Sequence, residues 1–217
     1  MGTSVLLLSG GLDSTVNLYQ AVSENKNLLL MTFDYGQRAF KNELECSKWH
    51  AKNLNLDLKV IELNWMKQEF TQSSLLEGDF PPLNVDIDNM KDCHESAKKV
   101  WVPNRNGIML NIAASYCDYF NLKEIIVGFN FEEGKTFPDN TIAFLDLLNL
   151  SFKYSTLNAP YVFSYTIDMD KTQIVQLGKN LKVPFEKVWP CYFGGEKMCG
   201  VCESCLRFMK AMKNNKL

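Results

Sequence analysis

A chain of 217 residues, 46% of them apolar and 22% charged, suits one large α/β domain or one domain with a small appendage, and is not disordered. Its 23 basic and 25 acidic residues leave a net charge of −2, which excludes a global basic field for a long nucleic acid and fits a small-molecule substrate better. No apolar run reaches membrane-spanning length, and the first residues lack the basic start and cleavage site of a signal peptide, so cytoplasmic residence is expected.

Val5-Leu6-Leu7-Leu8 is short and wholly apolar, which predicts a buried strand of a parallel sheet. Ser9-Gly10-Gly11-Leu12-Asp13-Ser14-Thr15 follows directly. Its two glycines allow a tight turn with close backbone approach, and Asp13, Ser14 and Thr15 are expected to cap a helix running to about Ser23. Backbone N–H groups at a helix start, joined by three hydroxyls, make a nest for a polyanion. No Gly-Lys-Ser/Thr follows at the spacing of a Walker A loop. Residues 28–33 predict a second buried strand, and Leu44, Ser47, Ala51 and Leu54 give the next helix its inner face. Residues 56–63 predict a third strand. Residues 66–100 lack a clean period and predict a lid or a partly ordered insertion. A 3.6-period stripe of Met109, Ile112, Ala113, Tyr116, Cys117 and Phe120 marks a long helix. Strands are expected at 124–130 and 162–167, with helices beginning at Phe144 and spanning 171–181 and 203–213. This alternation predicts an open parallel sheet with helices on both faces.

Ligands of such sheets lie at the carboxyl ends of the strands. The segments there are Asp34-Tyr35-Gly36-Gln37-Arg38, then Asn130-Phe131-Glu132-Glu133-Gly134 and Thr136-Phe137-Pro138-Asp139; Val102-Pro103-Asn104-Arg105-Asn106 precedes the long helix. Arg105 suits phosphate or carboxylate. Glu132 and Glu133 suit Mg²⁺ or a substrate amine.

Cys191, Cys199, Cys202 and Cys205 follow a C-x7-C-x2-C-x2-C spacing with Gly194, Gly195 and Gly200 at the turns. Four thiolates close a tetrahedral site with no open position, so a structural zinc is expected. An iron–sulfur cluster shares the C-x2-C-x2-C run, but no proline follows the last cysteine and the fourth ligand lies upstream. Residues 1–188 are read as the nucleotide-binding α/β domain and 189–217 as a zinc-binding subdomain. Cys46 and Cys117 are expected in the core, and Cys93 in a polar loop beside His94.

Taken together and in this order, these motifs resemble the QueC family (7-cyano-7-deazaguanine synthases) of the PP-loop ATP pyrophosphatase superfamily. The matching elements are SGGLDST at 9–15, FDYGQR at 33–38, VPNRN at 102–106, PD at 138–139, WPCY at 189–192 and CGVCESCLR at 199–207. The resemblance implies a ligase that adenylates 7-carboxy-7-deazaguanine with Mg-ATP, accepts ammonia, and dehydrates the amide to a nitrile with a second ATP. It implies that Leu8, Ser9, Gly10, Gly11, Leu12, Asp13, Ser14 and Thr15 hold ATP, and that Asp13, Ser14 and Arg105 act in catalysis. Tyr35, Gln37, Arg38, Asn106, Glu132, Glu133 and Asp139 would then face the substrate, in a homodimer without direct nucleic-acid or membrane contact. One stretch departs from the family pattern Gly-Tyr-Pro-Asp-Cys-Arg: here Thr136-Phe137-Pro138-Asp139-Asn140-Thr141 keeps only the proline and the aspartate. A paralogue that joins the deazaguanine to a protein amine, such as an N-terminus, in a CBASS-type antiviral operon is therefore a second expectation.

Overall fold

In the computed structural model, which describes residues 4–217, five parallel strands form one sheet in the order β3-β2-β1-β4-β5. They are β1 (Ser4–Leu7), β2 (Leu28–Asp34), β3 (Asp57–Glu62), β4 (Glu124–Ile126) and β5 (Tyr161–Phe163). The helices are α1 (Leu12–Ser23), α2 (Phe40–Leu54), α3 (Asn64–Glu69), α4 (Met90–Val100), α5 (Arg105–Phe120), α6 (Phe131–Gly134), α7 (Ile142–Ser155), α8 (Lys171–Asn180) and α9 (Glu203–Asn214). The chain leaves β1 toward β2 and β3 on one side and returns to β4 and β5 on the other. The topological switch point therefore falls between β1 and β4, where open α/β sheets take their ligands.

Alternate residues of β1 serve opposite faces of the sheet. Val5 packs with Met31 and Ile125 under α5 and α7, in a layer with Leu110, Ala113, Cys117 and Phe152. Leu6 and Leu8 pack with Leu30 and Ile126 against Leu18 and Ala21 of α1 and Ala51 of α2. A strand buried on both sides needs an uninterrupted apolar run, which is what residues 5–8 supply. A third cluster joins Leu12 and Val16 of α1 to Ile174 and Val175 of α8 and Phe208 and Ala211 of α9. Among the described residues, no helix is long and apolar enough to cross a membrane.

Several elements differ from their sequence-based expectation. β4 and β5 are three residues each, shorter than 124–130 and 162–167. Beyond Ile126, the apolar residues Val127 and Phe129 stay buried but belong to the loop over the switch point. Within the 66–100 stretch, α3 and α4 bracket turns whose Leu75 and Leu76 join Met66 and Val100 in the main core. Its amphipathic period was hidden because burial there falls on loop residues as much as on helical ones. Cys93 lies on α4, fully buried, not in a polar loop. Cys117 is core as expected, whereas Cys46 is only half-buried on α2. Finally, α1 has Gly11 as its N-cap with no side-chain capping bond, so Asp13, Ser14 and Thr15 are free for other work or buried.

Phe152 of α7 is fully buried beneath the sheet. Phe152→Ala is expected to destabilise the protein by about 3–5 kcal/mol, as a cavity at a packed site does. Urea titration should show a lower midpoint at an unchanged slope.

Candidate active site at the sheet switch point

A cleft opens at the carboxyl ends of β1, β2 and β4, between the 9–15 loop, the β2–α2 segment, the start of α5 and the C-terminal cysteine segment. Gly10 sits at φ +74°, and a Cβ there would lie 2.6 Å from the Glu43 carbonyl. Only glycine lets this turn approach α2 so closely. Gly128 has the same duty on the other side, since a Cβ would meet Ser14 N at 2.5 Å. Ser14 Oγ accepts from Ser9 N at 3.2 Å and lies 3.0 Å from Ser9 Oγ, which fixes the loop against the helix start. The first backbone bond of α1 runs from Thr15 N to Gly11 O. The N–H groups of Leu12 and Ser14 therefore stand ahead of the helical ladder with no acceptor among the described residues, while the Asp13 amide supports its own carboxylate. These residues line the cleft, where open amides at a helix start make an anion nest.

Beside the nest lies an ion triad. Lys171 Nζ, 8% exposed, is 2.5 Å from Asp13 Oδ2 and 2.7 Å from Glu133 Oε1. A lysine at the first position of a helix opposes the helix dipole, and the two carboxylates offset that cost. Burial raises the Asp13 carboxyl to about 6 against the pull of Lys171. Burial would also lift Glu133, but Lys171 and Asn130 outweigh it and hold that carboxyl low. Burial disfavours the Lys171 ammonium, yet its two carboxylates hold it above its ordinary value. Asp13 Oδ1 is buried without a hydrogen-bond partner among the described residues. An unpartnered carboxylate oxygen next to an anion nest is fitted to a divalent cation that travels with a polyphosphate.

The remaining expected residues divide. Leu8, Ser9, Gly11, Leu12, Asp13 and Ser14 line the cleft, as do Tyr35, Gln37, Arg105, Asn106 and Glu133. Arg105 Nη1 donates to Tyr35 Oη at 3.0 Å, which holds its largely buried guanidinium in the wall of the cleft. Gly10 supports the loop from behind. Thr15 is fully buried with its hydroxyl unpartnered, so it does not reach the cleft. Arg38 points away and donates to the Ser74 and Gly78 carbonyls at 3.0 and 2.6 Å, clasping the 66–100 stretch. Glu132 accepts from Lys171 N and pairs with Arg207, each at 2.7 Å, so it ties α6 to α8 and α9. Asp139 lies behind Asn106 and Arg105, raised by burial and lowered by the guanidinium. Gln37 lines the cleft with its amide committed: Oε1 accepts from Tyr35 N, and Nε2 donates to Phe33 O and to Glu43 Oε2 at 2.9 and 2.8 Å.

Among the cleft residues that escaped sequence reasoning are Lys171, Glu43 and Asn140. Lys171 follows the last strand at a helix start, where its dipole-opposed position was the available signal. Glu43 lies one turn into α2, and nothing local distinguishes it from a solvated helix acid. Asn140 comes from the divergent 136–141 stretch, which the structure employs fully. There Phe137 stacks on Trp101 at 6.2 Å, residues 138–140 form a 3₁₀ turn, and Thr141 Oγ1 caps α7 by accepting from Phe144 N.

The four C-terminal cysteines converge: their Sγ atoms all lie within 4.8 Å of one another, and Cys199 Sγ is 3.9 Å from Cys205 Sγ. Four sulfurs at about 2.3 Å from a tetrahedral zinc stand about 3.8 Å apart, so the cluster fits such an ion. Amides of Phe193 and Cys199 donate to Cys191 Sγ, and that of Cys202 to Cys199 Sγ, all at 3.3–3.4 Å. Such donors favour thiolate over thiol. The segment joins the nucleotide loop through Trp189 N, which donates to Gly10 O at 2.8 Å.

Comparison with known proteins places this geometry. A family model described as queuosine biosynthesis protein QueC matches residues 3–216. The chain is 53% identical over 211 residues to 7-cyano-7-deazaguanine synthase of Bdellovibrio bacteriovorus, covering 95% of this chain and 91% of that protein. It is 44% identical to the protein of that name from Carboxydothermus hydrogenoformans, covering 99% and 100%, and 42% identical to that of Methanosarcina mazei, covering 97% and 94%. Among solved structures, a 4-thiouridine synthetase–RNA complex with bound ATP has a similar fold, with a TM-score of 0.54, 17% identity, and coverage of 98% of this chain and 50% of that one. NMN synthetase from Francisella tularensis gives 0.50 and 14%, covering 100% and 87%. At these identities the structural likeness is one of fold alone.

Two outcomes are expected of the isolated protein. Elemental analysis should find one metal per chain, and Cys205→Ser should lose it and lower the melting temperature by on the order of 10 °C. Glu43 is raised to about 7, chiefly by burial, from an ordinary value of 4.5. The native state therefore holds its proton after the unfolded state has released it, so stability falls as pH rises from 4.5 to 7 and is level above. Chemical denaturation across that range should show the fall in the wild type and a flatter profile in Glu43→Gln.

Proposed function

Because this chain belongs to the QueC family of queuosine biosynthesis proteins, and is with it an ATP-dependent ligase, we propose that it adenylates the carboxylate of 7-carboxy-7-deazaguanine and joins it to ammonia. The amide then loses water, with a second ATP, to give 7-cyano-7-deazaguanine. The observation that carries this reading is the buried Asp13 Oδ1, without a partner in another residue, beside the open N–H groups of Leu12 and Ser14. That pairing serves a polyphosphate and its Mg²⁺ together.

A carboxylate is a poor acceptor for an amine, and adenylation supplies it with a good leaving group. Charge builds on the departing pyrophosphate in that step. The N–H nest and the Ser9 and Ser14 hydroxyls receive it, in a site where preorganised donors are worth more than in water. Lys171, charged throughout, adds a fixed positive group at the same edge. Asp13 would hold the Mg²⁺ that accompanies ATP, and the ion would supply further charge neutralisation. Arg105, braced on Tyr35, offsets the negative charge of the substrate carboxylate or the α-phosphate. The incoming amine is itself the nucleophile, and neither His50 nor His94 lines the cleft. A zinc ion held by Cys191, Cys199, Cys202 and Cys205 would be structural and would steady the 189–205 wall.

Ammonia is favoured over a protein amine by the divergent 136–141 stretch. It closes compactly through the Phe137–Trp101 stack and the Thr141 cap, and Asp139 keeps its place behind Arg105.

The test is mass spectrometry of products from 7-carboxy-7-deazaguanine, Mg-ATP and ammonium with the purified protein. Nitrile with two AMP per turnover is expected. Amide without nitrile would remove the second step and return attention to another amine, and no AMP release at all would overturn the reading.

A further inference from the structure

We propose that Glu43 is the residue that recognises a purine ring in this cleft, its carboxyl group receiving the N–H edge of either the deazaguanine or the adenine of ATP. The proposal rests on the preceding reading that both rings enter here.

Glu43 projects from α2 into the cleft alongside Tyr35 and Arg105. Its Oε2 is pinned by Gln37 Nε2 at 2.8 Å, and Gln37 is pinned in turn by Phe33 O and Tyr35 N. The Gln37 amide is thus fixed by the backbone of Phe33 and Tyr35 and turns its remaining N–H to Glu43, which makes Gln37 a positioning residue. Glu43 Oε1 accepts no hydrogen bond from any described residue. The charged groups facing Glu43 are Arg105, which favours the carboxylate, and Asp34, which opposes it. Met31, Phe33 and Leu75 supply apolar wall to the same cleft. An aligned acceptor in an apolar recess suits a flat heterocycle whose edge bears N–H groups. The guanine-type edge offers its ring N–H and C2 amine, and adenine offers its C6 amine. Site groups left unpaired when such a donor is missing make strong discriminators.

Glu43→Gln is informative because of Gln37. The new amide must turn its oxygen toward Gln37 Nε2, which leaves its NH₂ facing the ligand. Donor then meets donor, so recognition is inverted with little change in shape.

The experiment measures kcat/KM for AMP release by the full chain as wild type, Glu43→Gln and Glu43→Asp. Each is assayed with ATP against purine riboside triphosphate, which lacks the C6 amine. Each is also assayed with 7-carboxy-7-deazaguanine against the analogue lacking the C2 amine. The wild type should disfavour one analogue by about 10- to 100-fold, the range for a hydrogen bond to a charged group. Glu43→Gln should lose that preference, and Glu43→Asp should keep part of it. Loss in the ATP arm assigns Glu43 to adenine, and loss in the other arm assigns it to the deazaguanine. If Glu43→Gln retains the wild-type preference in both arms, the proposal is overturned while the ligase reading stands. If the wild type releases no AMP, the ligase reading fails instead, and equilibrium binding of the same four ligands to wild type and Glu43→Gln decides the role of Glu43.

Discussion

Much of this molecule depends on one buried ammonium. Lys171 sits between Asp13 and Glu133, and those three residues come from α1, α8 and α6, elements that the sheet order brings to one edge. Burying an ion is costly unless its partners are close and its remaining valences are met. Here the partners are two carboxylates, and Lys171 N adds a bond to Glu132. Glu132 passes the constraint to Arg207, and Arg207 to Glu203, so the chain of charges reaches the base of the four-cysteine segment. Removing one member would leave the others buried and unbalanced, so the cleft floor is bound to behave as a unit.

Close backbone approach is the second requirement. The nest exists because Gly10 and Gly128 let two loops come within contact distance of α2 and α1. Asn17 adds the lateral tie: its Nδ2 donates to Asp13 O and Thr166 Oγ1, and its Oδ1 accepts from Tyr165 N. The helix that presents the nest is thus anchored to the loop beyond β5 as well as to the core. Rigid supports of this kind let a short loop act as a preorganised charge receptor.

What could be read in the sequence was what is local. The strand–loop–helix of residues 5–23 and the C-x7-C-x2-C-x2-C run carry their meaning in adjacent residues, so both emerge with their expected shapes. Arg38, Glu132 and Asp139 occupy the expected segments, but their side chains are engaged by other residues of the protein outside the cleft lining. A loop position does not reveal which way a side chain turns, and each found a nearer partner in the protein. Lys171 was invisible as a site residue because its partners lie 158 and 38 positions away. Glu43 was invisible for a different reason: an acid on a helix is ordinarily solvated, and only tertiary packing moves this one into the cleft. The 66–100 stretch failed as a pattern because its apolar residues anchor turns, which have no period.

The bond from Trp189 N to Gly10 O joins the first loop of the chain to the start of its last segment. β1 is the central strand of the sheet, and one of its two neighbours begins only at Glu124. On the ribosome, the nucleotide loop is made well before β4, Lys171 and the cysteine segment that support it; Lys171 follows Asp13 by 158 positions. The chain therefore carries its most recognisable motif long before that motif has its neighbours.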